Sequence, residues 1–191
     1  VKKEDKETIV NSLKENENFH ELNLSDDAAV VLVLDCSGSM QWDLENGGYC
    51  NRDGCDNKDK YVKEGSDPWN HIWGDPSRFQ MMSESLLGNK TSKGFLADFA
   101  DTKDAQRMVS VVYFGQKVNP EKTVGWTDIT DSEGLEQIKN AVSFKTLKSD
   151  IWSQTSQGAG LAAAIDLLEN DSAINSIPNR YVVLLTDGRP E

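Results

Sequence analysis

A short apolar run ends abruptly in polar residues and most constrains what this chain can fold into. Residues 30–34 are five consecutive apolar residues, and DCSGS follows directly. A continuous apolar run is typical of a strand buried on both faces of a parallel sheet. The acid and the two hydroxyls directly after this run predict a binding site at the end of the strand.

Strand-like and helix-like segments then alternate along the chain. The segment SRFQMMSESLL starts near Pro76 or Ser77 and places Phe79, Met82 and Leu86 on one helical face. FLADFA is a second helical piece, RMVSVVYFG is a strand stopped by Gly115, and KTVGWTDI is an edge strand. These segments predict strands separated by helices.

The second half of the chain repeats the alternation. EGLEQIKNAVSF is amphipathic through Leu135, Ile138 and Val142, and SQGAGLAAAIDLLEN is a strong helix with Leu161, Ile165 and Leu168 at helical spacing. An apolar strand at residues 181–185 ends in TDG.

Alternating strands and helices predict an α/β fold: a doubly wound, mostly parallel sheet with helices on both faces. Ligands bind such sheets outside the carboxyl ends of the strands. Asp35 and Asp187 both follow carboxyl ends. If their strands are neighbours, the two acids converge.

Two regions interrupt this pattern. Residues 1–24 are polar and are read as an N-terminal extension or a lead-in from a preceding domain, and residues 25–191 as the domain itself. Residues 41–76 form a long insertion without a sustained period, rich in Gly, Asp and Asn. Irregular segments of this length are often functional or disordered, and the tryptophans of this one argue against plain disorder.

The negative net charge of the chain limits the classes of partner that it can bind. The chain has 191 residues and a net charge of −12. Such acidity disfavours nucleic acid and anionic membranes as partners and suits cation binding. No apolar run reaches the roughly 20 residues that span a bilayer. The chain starts at Val1, so we read it as a mature or excised fragment.

Three cysteines leave the redox compartment open. Cys50 and Cys55 frame the loop CNRDGC, where a disulfide is geometrically feasible and would indicate an oxidising environment. Two free thiols are the alternative. We interpret Cys36 as a small core residue rather than a nucleophile.

Oxygen-bearing side chains gather at the predicted carboxyl edge. Asp35, Ser37 and Ser39 alternate, so in an extended turn their side chains point the same way. Across the sheet Asp187 adds a second carboxylate, and Thr155 adds a hydroxyl before a helix. Such hard oxygen ligands favour Mg²⁺, Mn²⁺ or Ca²⁺ over zinc. Each feature has a simpler reading: the serines could cap a helix, and Asp187 could form a turn before Gly188.

Together, Asp35, Ser37 and Ser39 in DCSGS, Thr155 in SQTSQGAGLAAA and Asp187 in LLTDG resemble the metal-ion-dependent adhesion site of von Willebrand factor type A (vWA) domains. The resemblance covers residues 27–191. It implies a vWA fold, a bound divalent cation with Mg²⁺ favoured, and non-enzymatic binding of a protein ligand that offers an Asp or Glu to the metal.

The chain departs from the family pattern in two places. The vWA sheet normally continues past the TDG strand, so the resemblance implies a sheet truncated after its fourth strand. A second chain or a downstream segment would complete it. The insertion at 41–76 is similar in position to the inserted arms of vWA domains at Gram-positive pilus tips. That narrower resemblance implies a cell-surface or extracellular adhesin.

Trp69 and Trp73 in the insertion are candidate ligand contacts, and packing against the domain is the other interpretation. An intracellular vWA module that assembles or regulates a complex is the alternative function, which an oxidised Cys50–Cys55 pair would exclude. A metal-dependent hydrolase is disfavoured because no histidine accompanies the motif.

Overall fold

The structure is a computed structural model that describes residues 26–42, 76–149 and 154–188, together with the backbone of residues 49–50 and 71–72. Its strands are β1 (Ala28–Asp35), β2 (Tyr49–Cys50), β3 (His71–Ile72), β4 (Arg107–Phe114), β5 (Val124–Asp128) and β6 (Asn179–Leu185). Its α-helices are α1 (Arg78–Leu87), α2 (Phe95–Ala100), α3 (Ser132–Ala141), α4 (Phe144–Leu147) and α5 (Gln157–Asn170). Short 3₁₀ turns cover Gly38–Gln41 and Ser172–Ile174.

The main sheet has four strands in the order β5-β4-β1-β6. β1 runs parallel to both β4 and β6, and β5 pairs antiparallel with β4 at one edge. The predicted mostly parallel α/β sheet and the predicted edge strand are therefore confirmed. β6 forms the other edge of the described sheet, where Val182 is 36% exposed. Pairing of a further strand with β6 stays a prediction.

β1 is buried along its whole length because both faces of the sheet are covered. Its side chains alternate: Ala28, Val30, Leu32 and Leu34 join one core, and Val31 and Val33 join another. α1 to α4 pack on the first face, and α5 packs on the second. The helices thus lie on both faces, as the sequence predicts.

α1 begins and ends where its sequence indicates. The Ser77 hydroxyl caps it by accepting a hydrogen bond from the Gln80 N–H at 3.2 Å. Phe79, Met82 and Leu86 are buried, as predicted. Gly88 ends the helix with a φ of 88°, a conformation that favours glycine.

α5 approaches the sheet through its small residues, and Leu168 from the predicted apolar spacing packs against the same core. Gly160 and Ala164 are buried, whereas Ile165 is 50% exposed. A side chain on Gly160 would approach Val33 Cγ1 to 2.8 Å and Phe114 Cδ1 to 2.9 Å. At Gly160 the helix lies so close to the sheet that a larger side chain does not fit, whereas Ile165 is turned toward solvent.

The two ends of the insertion meet at the domain. The Arg78 N–H donates to the Trp42 carbonyl at 2.8 Å, so the chain leaves and re-enters at one point. Inside the insertion, β2 and β3 pair antiparallel over two residues each, a pairing too short to leave a period in the sequence. Residues 1–25, the Cys55 thiol, Trp69 and Trp73 lie outside the described part.

No helix in the described ranges combines the length and the apolar character needed to cross a bilayer.

The close approach of α5 predicts different outcomes for two glycines of one helix. Gly160→Ala should destabilise the protein by about 1–3 kcal/mol, because its Cβ overpacks against Val33 and Phe114. Gly158→Ala should be neutral or stabilise it by up to about 1 kcal/mol, because nothing lies within 4 Å and alanine favours the helix. Urea unfolding of both variants measures the difference, and equal stabilities would contradict this packing.

Candidate functional site

Three loops meet at the carboxyl edge of the sheet, where β1, β4 and β6 end side by side. Asp35 is the last residue of β1, and Thr186 and Asp187 follow β6, its parallel neighbour. The Ser156 N–H donates to the Gly115 carbonyl at 2.7 Å, which holds the segment before α5 against the end of β4. Thr155, buried at 5% exposure, belongs to that segment.

The Asp35 carboxylate is fully buried, and both its oxygens are held. Oδ1 accepts a hydrogen bond from the Ser37 N–H at 2.8 Å, and Oδ2 accepts one from the Thr186 hydroxyl at 2.6 Å. Burial raises the pKa of Asp35; hydrogen bonds from Thr186 and Ser37 oppose the shift, and the Asp187 charge adds to it. Because β1 and β6 are parallel neighbours and the Thr186 hydroxyl, next to Asp187 in the chain, reaches Asp35, the two acids lie at the same edge of the sheet.

The two serines present their hydroxyls to each other. Ser37 Oγ and Ser39 Oγ lie 3.1 Å apart, and Ser37 is 2% exposed. Ser37 stands at the N-cap of the 3₁₀ turn, but its side chain makes no capping bond. The simple capping interpretation therefore fails for Ser37, and its hydroxyl is directed elsewhere.

Asp187 combines a satisfied oxygen with an unsatisfied one. Its side chain is 3% exposed, and Oδ2 accepts a hydrogen bond from Arg78 Nη1 at 2.6 Å. Its other oxygen, Oδ1, is buried with no hydrogen-bond partner among the described residues. Buried acceptors are rarely left unpaired. This oxygen is suited to a cation.

Two residues of the site have no role in the sequence interpretation. Thr186 donates to Asp35 and accepts from Gln157 Nε2 and from the Gly188 N–H, both at 3.3 Å. Its position before Asp187 in LLTDG was the available signal. Arg78 reaches an acid 109 positions away, which no local pattern reveals.

A cavity of about 410 Å³ opens beside Asp187, between α1 and the end of β6. Apolar and polar side chains line it together: Met40, Arg78, Met81, Met82, Ser85, Leu185, Thr186 and Asp187. A ligand that approaches Asp187 through this cavity therefore meets Arg78 as well.

The donor set fits a hard cation rather than a soft one. The described ranges contain no group of three or more His, Cys, Asp or Glu side chains that could hold a metal. The candidate site instead combines two carboxylates with the hydroxyls of Ser37, Ser39 and Thr155. Mg²⁺ and its relatives are the metals that prefer such oxygen ligands. Cys36 is buried at 2% exposure, as expected of a core residue.

Searches against protein-family models and against curated proteins find no match. Among solved structures, the chain is similar to the PilB minor pilin from Streptococcus sanguinis, with 23% identity, a TM-score of 0.54 and coverage of 89% of this chain and 32% of that one. An aspartate-to-alanine mutant of the same pilin matches at 21% identity and a TM-score of 0.54, over 88% of this chain and 31% of that one.

The pilus adhesin SpaC from Lactobacillus rhamnosus GG matches over 89% of this chain and 16% of its own, at 17% identity. Its TM-score of 0.45 is too low to support an argument. This chain spans about a third of the PilB structures, at 32% and 31% of their lengths. What the PilB matches share with this chain is the fold.

The burial of Asp35 predicts an unusual pH dependence when divalent cations are chelated. A raised folded-state pKa favours the protonated acid, so the contribution of Asp35 to stability is present at acid pH and lost as pH rises through that pKa. Asp35→Asn stays neutral, so it should unfold at a higher urea concentration than wild type at pH 7, with a smaller difference at pH 5.

Urea unfolding in EDTA measures this difference. The exposed Asp166→Asn is the control and should follow wild type at both pH values. An Asp35→Asn protein that is less stable than wild type at pH 7 would show that the ionised carboxylate stabilises the fold.

Proposed function

We propose that this chain is a metal-dependent adhesion module of the vWA class. The proposal is based on one observation: two buried carboxylates and the paired serine hydroxyls lie at one edge of the sheet, where Asp187 Oδ1 is buried without a hydrogen-bond partner among the described residues. Asp35, Ser37, Ser39, Thr155 and Asp187 hold the cation in this proposal. Mg²⁺ is the first candidate, and Mn²⁺ and Ca²⁺ are the others.

The role of the metal follows from the charges of its ligands. Two carboxylates offset a divalent ion, and the hydroxyls add no charge, so the ion keeps an affinity for an additional anionic oxygen. When bound, the ion offers a coordination position to an Asp or Glu of a protein ligand. The residues of the chain orient that position and shield it, and we propose no catalytic step.

The proposed setting is the cell surface of a Gram-positive bacterium, as part of a pilus. The fold that this chain shares with part of a minor pilin supports that setting. The acidic composition, with a net charge of −12, fits a protein ligand better than nucleic acid.

Metal binding is the direct test. Mg²⁺ or Mn²⁺ should bind the wild-type chain with one-site stoichiometry, and Asp35→Ala should abolish binding because it removes one of the two negative charges. Isothermal titration calorimetry measures both. Asp166→Ala removes an exposed acid from α5 and should bind the ion like wild type.

A wild-type chain that binds no divalent ion would overturn the proposed function. Unchanged binding in Asp35→Ala would place the ion elsewhere, and the acidic insertion would be the next candidate.

We expect the insertion to determine ligand specificity without contributing to the metal site. All five proposed metal ligands lie outside residues 41–76, and the Trp42 carbonyl and the Arg78 N–H already hold the two ends of residues 43–77 together. Replacing residues 43–75 by a short Gly/Ser linker should therefore preserve folding and Mn²⁺ affinity, and should abolish binding to the surface that the native chain adheres to.

Trp69→Ala with Trp73→Ala should weaken the same adhesion by a few kcal/mol, roughly the range for truncated aromatic anchors. Calorimetry with Mn²⁺ and adhesion to immobilised extracellular proteins separate the two effects. Unfolding of the linker variant would make the insertion part of the core, and normal adhesion would make it a spacer.

A further inference from the structure

Arg78 is held in place beside the proposed metal ligands. Its guanidinium lies 2.6 Å from Asp187 Oδ2, and the two side chains are 20% and 3% exposed. Its backbone N–H is bound to the Trp42 carbonyl, and its guanidinium carbon lies 5.7 Å from the centre of the Trp42 ring. Such a pair differs from a surface ion pair, which is screened and loosely held.

The charge of Arg78 changes the sum at the site. Asp35 and Asp187 contribute two negative charges, and the hydroxyls contribute none. With a divalent ion alone, these groups sum to zero. With Arg78 included, the sum is one negative charge before metal binds and one positive charge after it binds.

We propose that Arg78 sets the charge of the metal-loaded site, lowering its affinity for the cation while raising its affinity for an acidic ligand. This inference rests on the proposed function. A cation near the metal repels it, and the same cation attracts an incoming carboxylate. Arg78 and the metal ligand Asp187 line the same cavity, so a carboxylate that enters it comes close to both side chains.

A purely positioning role predicts the opposite effect on the metal. If Arg78 only fixes the Asp187 carboxylate, its loss should loosen a metal ligand and weaken metal binding, as the loss of a supporting hydrogen bond does in other metal sites. If its charge dominates, its loss should strengthen metal binding. The sign of the change therefore separates the two roles.

The test compares two substitutions at one position in the full chain. Arg78→Gln removes the charge and keeps a polar donor, and Arg78→Lys keeps the charge without the planar fork. In calorimetry at low ionic strength, Arg78→Gln should bind Mn²⁺ roughly tenfold more tightly than wild type, and Arg78→Lys should restore the wild-type order of affinity. Added salt should reduce the difference.

A carboxylate probe supplies the second measurement. Acetate that displaces water from protein-bound Mn²⁺ lowers the water-proton relaxation rate, so the acetate concentration at half effect reports anion affinity. Arg78→Gln should need several-fold more acetate than wild type. Lys139→Gln is the control: it removes a charge from an ion pair with Glu136 on α3 and should change neither measurement.

The outcomes distinguish this inference from the proposed function. If wild type binds no Mn²⁺, both are overturned. If wild type binds Mn²⁺ and Arg78→Gln binds it equally or more weakly, only the role of Arg78 is overturned. Should Arg78→Gln fail to fold, Arg78→Lys still decides: wild-type affinities support the charge role, and weaker binding of both Mn²⁺ and acetate contradicts it.

Discussion

The parallel pairing of β1 with neighbours on both sides is the constraint on which the rest of the structure depends. It buries eight consecutive residues and carries the last of them, Asp35, into a position with no exposure to solvent. Taking an ionised carboxylate out of water costs several kcal/mol. Two hydrogen bonds to Asp35, from the Ser37 N–H and the Thr186 hydroxyl, reduce this cost, yet burial still prevails and raises the pKa. A positive charge at this edge of the sheet would therefore stabilise the ionised Asp35 carboxylate.

The Asp187 carboxylate already has a positive charge beside it. Its Oδ2 is paired with Arg78, and its Oδ1 is buried and unpaired among the described residues. Removing one partner of a buried ion pair leaves an uncompensated charge, so we expect Arg78 to stabilise the fold as well as to have the effect on metal affinity proposed above. The one positive charge of Arg78 and the two negative charges of Asp35 and Asp187 leave a net charge of about one negative unit. In the proposed function, a divalent ion reverses the sign of that charge, and the loaded site then attracts an anionic ligand.

The sequence predicts those parts of this arrangement that follow from strand ends. Asp35 and Asp187 could be placed together because the carboxyl ends of parallel neighbours share one edge. Arg78 could not, because its pairing with Asp187 depends on how α1 packs, and the first residue of a helix shows no such preference. The exposure of Ile165 has a related reason: spacing identifies the apolar residues of a helix, but the distance between helix and sheet decides which of them face inward.

The root of the insertion lies at the same residue that balances the charge. Trp42 and Arg78 join the two ends of the insertion through a backbone hydrogen bond, and the Arg78 guanidinium lies over the Trp42 ring on its way to Asp187. In the described part of the chain, this junction joins the ends of the insertion to Asp187. A displacement that lengthens the 2.6 Å contact between Arg78 Nη1 and Asp187 Oδ2 would weaken the ion pair and leave the negative charge of Asp187 less compensated. One arginine therefore contacts both the base of the insertion and an acid at the carboxyl edge.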